Sequence, residues 1–309
     1  MAEFNMLNRR KFIQQTITTS LLLASGGLLN MAEAKTRFTR LTILHTNDMH
    51  SRIEPFPGDD KKYAGRGGMA ARAALIKKIR SEEESVLLLD SGDIFQGTPY
   101  FNFFGGEVEF KLMSKMQYNA ATLGNHDFDA GLEGLLKQLP NANFPFLNVN
   151  YDFSNTILKG HIQQYKIFNF GKLKVGVFGV GIELEGLVPK KLFGDVVYHH
   201  PVEKANYFAS MLKHEYKCDY IICLSHLGYK HNSSKISDVI LAQQTENIDL
   251  ILGGHTHTFM QQPDILKAMN NKACIVSQSG WAGLLIGRHD IIFDEKNKRL
   301  VTKFSQVKI

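Results

Sequence analysis

Five short polar clusters in this 309-residue chain combine side chains able to hold divalent metals. They are Asp48-Met49-His50, Asp90-Ser91-Gly92-Asp93, Gly124-Asn125-His126-Asp127, Ser225-His226 and Gly253-Gly254-His255-Thr256-His257. Imidazole nitrogen and carboxylate oxygen are the donor types of a mixed metal site. Each cluster alone says little. A lone aspartate after a strand is more often a turn or helix-cap residue. A lone His226 is more often a buried histidine with an ordinary hydrogen bond. His255 and His257 are more specific, because residues two apart in extended chain project to the same side. Five clusters in one order, each after an apolar run, outweigh five separate bland explanations.

The elements that must position them alternate along the chain. Continuous apolar strands at 41–44, 86–89, 120–123, 220–224 and 248–252 run straight into the five clusters. Continuous rather than alternating apolar runs are the mark of strands covered on both faces. Further strands are predicted at 146–149 and 174–180. Helical spacing covers 69–80, 107–116, 132–139 (stopped by Pro140), 202–216 and 237–244. The last part changes character, with strands at 273–277, 284–293 and 300–308 and a polar turn at 294–298. The pattern predicts an α/β fold with an antiparallel tail. In such sheets the carboxyl ends of the strands open into one crevice, so clusters spread from 48 to 257 are expected to converge.

Composition narrows the class. Hydrophobic residues make up 44% and charged residues 21%, a globular mixture that excludes whole-chain disorder. The net charge is +6, and basic residues occur at most in short pairs such as Lys77-Lys78, which argues against nucleic acid. No apolar run is long enough for a transmembrane helix. Cys218, Cys223 and Cys274 form no C-x-x-C. Cys218 and Cys274 are open to pairing after export, with free buried thiols the alternative.

The N-terminus reads as an address. Arg9-Arg10-Lys11-Phe12 precedes a weakly apolar stretch and then Ala32-Glu33-Ala34. Paired arginines, a short apolar middle and an A-x-A end make residues 1–34 a twin-arginine-type export signal. The expected location is therefore periplasmic or otherwise exported, with one catalytic domain at 35–309.

The order D-x-H, G-D, G-N-H-[DE], H and G-H-x-H resembles the calcineurin-like metallophosphoesterase superfamily. Within it, Leu41-Thr-Ile-Leu-His-Thr-Asn-Asp-Met-His50, Gly92-Asp-Ile-Phe-Gln-Gly-Thr98, Gly124-Asn-His-Asp-Phe-Asp129 and the closing 287–294 hairpin resemble the catalytic domain of bacterial periplasmic 5′-nucleotidases/UDP-sugar hydrolases. The likeness runs over about residues 39–309. It implies a four-layer α/β/β/α sandwich of two mixed sheets flanked by helices, with a dinuclear metal site at the strand ends. By the same resemblance Asp93 bridges two divalent ions of zinc, manganese or iron type. Asp48, His50 and His257 complete one site, and Asn125, His226 and His255 the other. A metal-bridged hydroxide then attacks phosphorus. Asn125 and His126 contact the phosphate, and His126, paired with Asp129, assists the leaving group. Asp127 stands where the family often has Glu and is read as structural. The implied substrate is a small phosphoester, a nucleotide above all.

The family's usual second domain, which helps bind the substrate, does not follow the last hairpin in this sequence. A separately encoded partner domain is one expectation, broad activity on its own another, and a truncated chain a third. Two alternatives to the main reading are an exported metal-binding or interaction protein without turnover, and a sulfur-ester hydrolase on the same scaffold. Trp281 is assigned to core or loop packing and Phe101, Phe103 and Phe104 to core or interface packing, although the phenylalanines could cover a base. The remaining histidines, among them His45, His231 and His289, are assigned surface or structural roles.

Overall fold

Strand side chains alternate between two apolar environments, and that alternation decides the layering. The structure, a computed structural model, describes residues 38–309; the expected signal at 1–34 lies outside the described residues. In chain order β1 (Thr39–Thr46), α1 (Met69–Glu82) and β2 (Val86–Asp90) are followed by α2 (Pro99–Phe104), α3 (Glu107–Lys115) and the two-residue β3 (Ala120–Ala121). Next come α4 (Gly131–Gln138), β4 (Tyr151–Asp152), β5 (Tyr165–Phe170), β6 (Leu173–Gly181), α5 (Lys190–Phe193) and β7 (Val197–Tyr198). Then follow α6 (Pro201–His214), β8 (Tyr220–His226), α7 (Asp238–Gln244), β9 (Leu250–Gly253) and β10 (Asp264–Lys267). β11 (Ala273–Gln278), β12 (Leu285–Phe293) and β13 (Arg299–Lys308) close the chain.

One sheet has the order β13-β12-β1-β2-β3 and the other β10-β11-β9-β8-β6-β5, and β4 pairs with β7 apart from them. Both large sheets are mixed. β1, β2 and β3 run parallel, as do β6, β8, β9 and β11, while β5, β10, β12 and β13 pair antiparallel. Leu41, Ile43, Leu87 and Leu89 face inward and meet Val175, Val177, Ile222 and Leu250 of the opposite sheet. Their strand neighbours Leu44 and Leu88 face outward onto Met69, Ile76, Phe110 and Leu135, on α1, α3 and α4. On the other side Phe178, Ile221 and Cys223 pack against Ala205, Leu212 and Leu241 from α6 and α7. Residues 39–309 thus form the four-layer α/β/β/α sandwich that the resemblance implied.

Two sequence expectations need correction. Residues 146–149 form no named strand; Phe146 and Leu147 make only isolated bridges, to Ala121 and Gln163. The tail is not antiparallel throughout, since β11 joins β9 in parallel. All three cysteines are buried free thiols, so Cys218 and Cys274 do not pair.

The core also buries His45 and His289, with ring centroids 5.6 Å apart. Burial pushes the His289 imidazole down to about 3 and holds His45 well below the ordinary histidine value. Neither ring nitrogen of His289 has a hydrogen-bond partner. A histidine depressed on folding binds fewer protons folded than unfolded, so its contribution is complete above about pH 6.5 and is lost as pH falls from there. The loss approaches about 1.4 kcal/mol per pH unit per histidine. The melting temperature is therefore expected to drop between pH 7 and pH 5, and His289→Leu is expected to flatten that drop. Identical acid limbs in calorimetry of the two proteins would count against this origin.

Candidate active site

The parallel strands of both sheets end at one edge, and the loops leaving them are tied across the gap. The loop after β1 runs along the loop after β2, with Asp48 N–H donating to the Gly92 carbonyl (2.9 Å) and His50 N–H to the Asp93 carbonyl (3.0 Å). Ser91 Oγ crosses to the second sheet and donates to the Leu252 carbonyl (2.7 Å). His255 N–H returns the link by donating to the Asp48 carboxylate (2.9 Å). These bonds clasp the sheets where the five clusters lie.

All nine residues singled out from the sequence meet there. Asp48, His50 and His257 place one donor atom each within 4.8 Å of one another, as do Asp93, His226 and His255. Asn125 joins the second group through Oδ1, 2.9 Å from His255 Nδ1. Asp93 lies between the groups, with Oδ2 3.1 Å from His226 Nε2 and 3.9 Å from His50 Nε2. Its other oxygen accepts the His126 N–H (2.8 Å). His126 Nδ1 donates to Asp129 Oδ2 (2.8 Å), and its side chain is 40% exposed at the open rim.

The backbone is bent to achieve this. Asp48, His50, Asp93, His255 and His257 all have φ between 47° and 71°. The left-handed region costs a non-glycine residue about 1–2 kcal/mol, and five such residues at one site mark strain held in place by the surroundings. Gly124 and Gly254 permit the close approach. A Cβ on Gly124 would sit 2.2 Å from Asp93 Oδ1, and one on Gly254 2.9 Å from His226 Nδ1.

The donor chemistry fits cations. The His50 and His257 Nε2 atoms face each other at 2.9 Å, an arrangement that two neutral lone pairs tolerate only with a proton or metal between them. His226 Nδ1–H donates to the Ser91 carbonyl (2.6 Å), which aims Nε2 at Asp93. A bond of that kind is what fixes the tautomer and orientation of a ligating histidine. That Nε2 is buried without a well-formed hydrogen bond, although Asp93 is near. Burial opposes charge on both partners. Even so, the Asp93 carboxylate holds His226 up to about 10, while His226 holds Asp93 below the usual carboxylate range. The pocket therefore stabilises positive charge between these residues. Burial and the His226 charge push His255 down to about 4, keeping its lone pair available. The bond to Asp129, with the nearby acids, outweighs burial and raises His126.

Asp127 has the structural task read from the sequence. Fully buried, its carboxylate accepts the backbone N–H groups of Asp93, Ile94, Phe95 and Gly124, locking two of the loops together. Other expectations change. Trp281 is not packing alone: its ring lies parallel to His257, 5.5 Å between centroids and 4° between planes. Phe101 packs on Phe95, whereas Phe103 is 79% exposed and Phe104 is exposed with its ring on Tyr100, so the core half of the core-or-interface reading does not apply to these two. His231 backs His255 at 6.1 Å and donates to the Leu227 carbonyl. No period or motif marks Trp281 or His231, and only the folded loops reveal their positions.

A double-sheet sandwich with two imidazole–carboxylate clusters at its strand ends has the build of a metal-dependent phosphoester hydrolase. Residues 41–259 match the calcineurin-like phosphoesterase model, and the chain belongs to that family. It is 36% identical over 276 residues to the snake venom 5′-nucleotidase of Crotalus adamanteus, covering 83% of this chain and 46% of that protein. Against the 5′-nucleotidase of Vibrio cholerae it is 34% identical over 287 residues, covering 85% and 50%. The crystal structure of a 5′-nucleotidase precursor from Thermus thermophilus superposes with a TM-score of 0.78 at 30% identity, covering 88% of this chain and 55% of that one. The chain spans about half the length of the curated relatives it matches. No helix among the described residues is long and apolar enough to cross a membrane.

Proposed function

We infer that this chain is an exported 5′-nucleotidase-like hydrolase that uses two divalent ions to release phosphate from nucleotides or related phosphoesters. The observation that carries the reading is the His126–Asp129 pair beside two donor groups joined by Asp93. A protein that only stored metal would have no use for a half-exposed imidazole oriented by a carboxylate at the rim.

Asp48, His50 and His257 would hold one ion, Asn125, His226 and His255 the other, with Asp93 shared. Two bound divalent ions supply Lewis-acid polarisation of phosphoryl oxygens and acidify water near neutral pH. The protein's own residues do the rest. Asp48, Asp93 and Asp127 are buried, and an anionic ester would enter at the rim, where His126 stands with Asp129. The Asn125 amide and the His126 ring would bind the phosphate. His126 Nδ1–H is engaged by Asp129, which leaves Nε2 of the charged ring to donate its proton to the departing ester oxygen. Asp129 holds that ring in position and favours its charged form.

The test is a panel assay on chelator-stripped protein reloaded with Mn²⁺ or Zn²⁺. The substrates are AMP, UDP-glucose, a cyclic nucleotide and chromogenic mono- and diesters. AMP hydrolysis restored by either metal is the expected result. Uptake of two metals with no turnover on any ester would replace this reading with the metal-binding one. The export signal at 1–34 and the catalytic domain at 35–309 belong to the same proposal. Fractionation of native cells tests the export; recovery of the active protein from the cytosol would overturn it.

A further inference from the structure

The metal-site histidines continue outward into a line of rings. His126 lies 5.4 Å from His50, His50 4.9 Å from His257, and His257 stacks on Trp281 at 5.5 Å. Tyr63 meets Trp281 edge-on at 6.5 Å, and Phe259 lies near-parallel to Tyr63 at 6.5 Å. Phe56, Ala282 and Leu284 are buried beneath these rings and support them. Tyr63 and Trp281 are only partly covered, and Phe259 is 43% exposed.

Every ring sits on backbone tied to the site or to itself. Ala282 N–H donates to the Asp48 carbonyl (2.7 Å). The Asn47 side chain donates to the Gly280 carbonyl and accepts from Ser279 N–H. Phe259 bridges Ser279, and a Cβ on Gly280 would strike its ring at 2.3 Å. Asp60 accepts the Lys62 and Tyr63 N–H groups, which fixes the turn carrying Tyr63. Exposed aromatic surface held this firmly beside a polar centre has the composition of a ligand subsite. Ordering it before a ligand arrives lowers the cost of binding.

We propose that Trp281, Tyr63 and Phe259 form a ledge that receives the planar aromatic part of the leaving group, making this catalytic unit select aromatic phosphate esters, nucleotides among them, over aliphatic ones. The occupant follows from continuity: the ledge begins on His257, so a group resting on it is attached to the ester held at the metal centre. Arg52 lies 4.1 Å over the Phe56 ring and Arg66 5.8 Å over Tyr63, adding positive charge at the same rim. The proposal rests on the phosphoesterase reading for its substrate, but the ledge itself can be probed without turnover.

Trp281 is the single tryptophan of the chain, so its fluorescence reports this spot alone. Adenosine added to the full, metal-stripped protein is expected to quench that emission saturably, and ribose is not. Phe259→Leu and Tyr63→Leu are expected to weaken adenosine binding about tenfold, the scale of one stacked ring. Tyr63→Phe keeps the ring and is expected to retain affinity, which separates loss of stacking from misfolding. With metal restored, the kcat/KM ratio of 1-naphthyl phosphate over glycerol 3-phosphate falls by about the same factor in both Leu variants, through KM. No saturable quenching, or an unchanged ratio in both Leu variants, overturns the ledge. Quenching by adenosine with neither ester hydrolysed leaves the ledge standing and removes the phosphoesterase reading instead.

Discussion

Asp93→Asn is expected to strip the protein of most of its bound divalent metal and to lower kcat/KM on AMP about a thousandfold, some 4 kcal/mol of transition-state stabilisation. The side chain keeps its size, so the effect isolates charge. Among the described residues, Asp93 is the carboxylate with an oxygen within 4 Å of histidine ring nitrogens from both donor groups, those of His226 and His50. The other carboxylate of the two groups, Asp48, approaches only its own group's rings, His50 and His257. Neutralising Asp93 leaves two neighbouring cations to repel with no anion between them. It also leaves buried His226 without its counter-charge, and removing one partner of a buried pair costs about 3–5 kcal/mol. Metal content by mass spectrometry and steady-state kinetics read the two effects separately. A variant that kept both metals and its turnover would remove Asp93 from the shared position.

Much of this arrangement was legible in the sequence, and the reason is physical. Strands such as Val86–Asp90 and Tyr220–His226 are buried along their whole length. Such strands must be continuously apolar, so a polar cluster at their end marks the sheet edge. Ligand order and spacing then carried the site. Besides the two-residue β4 and β7, the strands that went unread are β5 and β10, at the two edges of the second sheet, where half-buried Tyr165 and Asp264 and exposed Asn169 dilute the apolar pattern. The ledge was equally silent. Tyr63, Phe259 and Trp281 come from three loops and show no common period; the ties of Asn47 and Asp48 to the 279–282 turn, and the Asp60 turn that carries Tyr63, set their places only in the folded chain. Asp127 illustrates the opposite case: its position in the motif suggested a supporting role, and its four backbone partners supply one.

His126→Gln separates chemistry from metal binding. His126 contributes no atom to either donor group, its Nδ1 is committed to Asp129, and its ring stands at the open rim. Metal content is therefore expected to stay at the wild-type level. Turnover of AMP is expected to fall by about 10²–10⁴, the range for a positioned proton donor. The size of the loss should depend on the leaving group. An alkoxide leaving from AMP needs a proton in the transition state, whereas a nitrophenolate does not. The nitrophenyl ester should consequently lose far less than AMP. Removing only the orienting partner, in Asp129→Asn, leaves the donor present but less well aimed. Its loss on AMP should be smaller than that of His126→Gln, and it should follow the same dependence on the leaving group. Equal losses on AMP and the nitrophenyl ester in His126→Gln would instead assign the ring to phosphate binding alone. The released proton would then have to reach the ester oxygen from water.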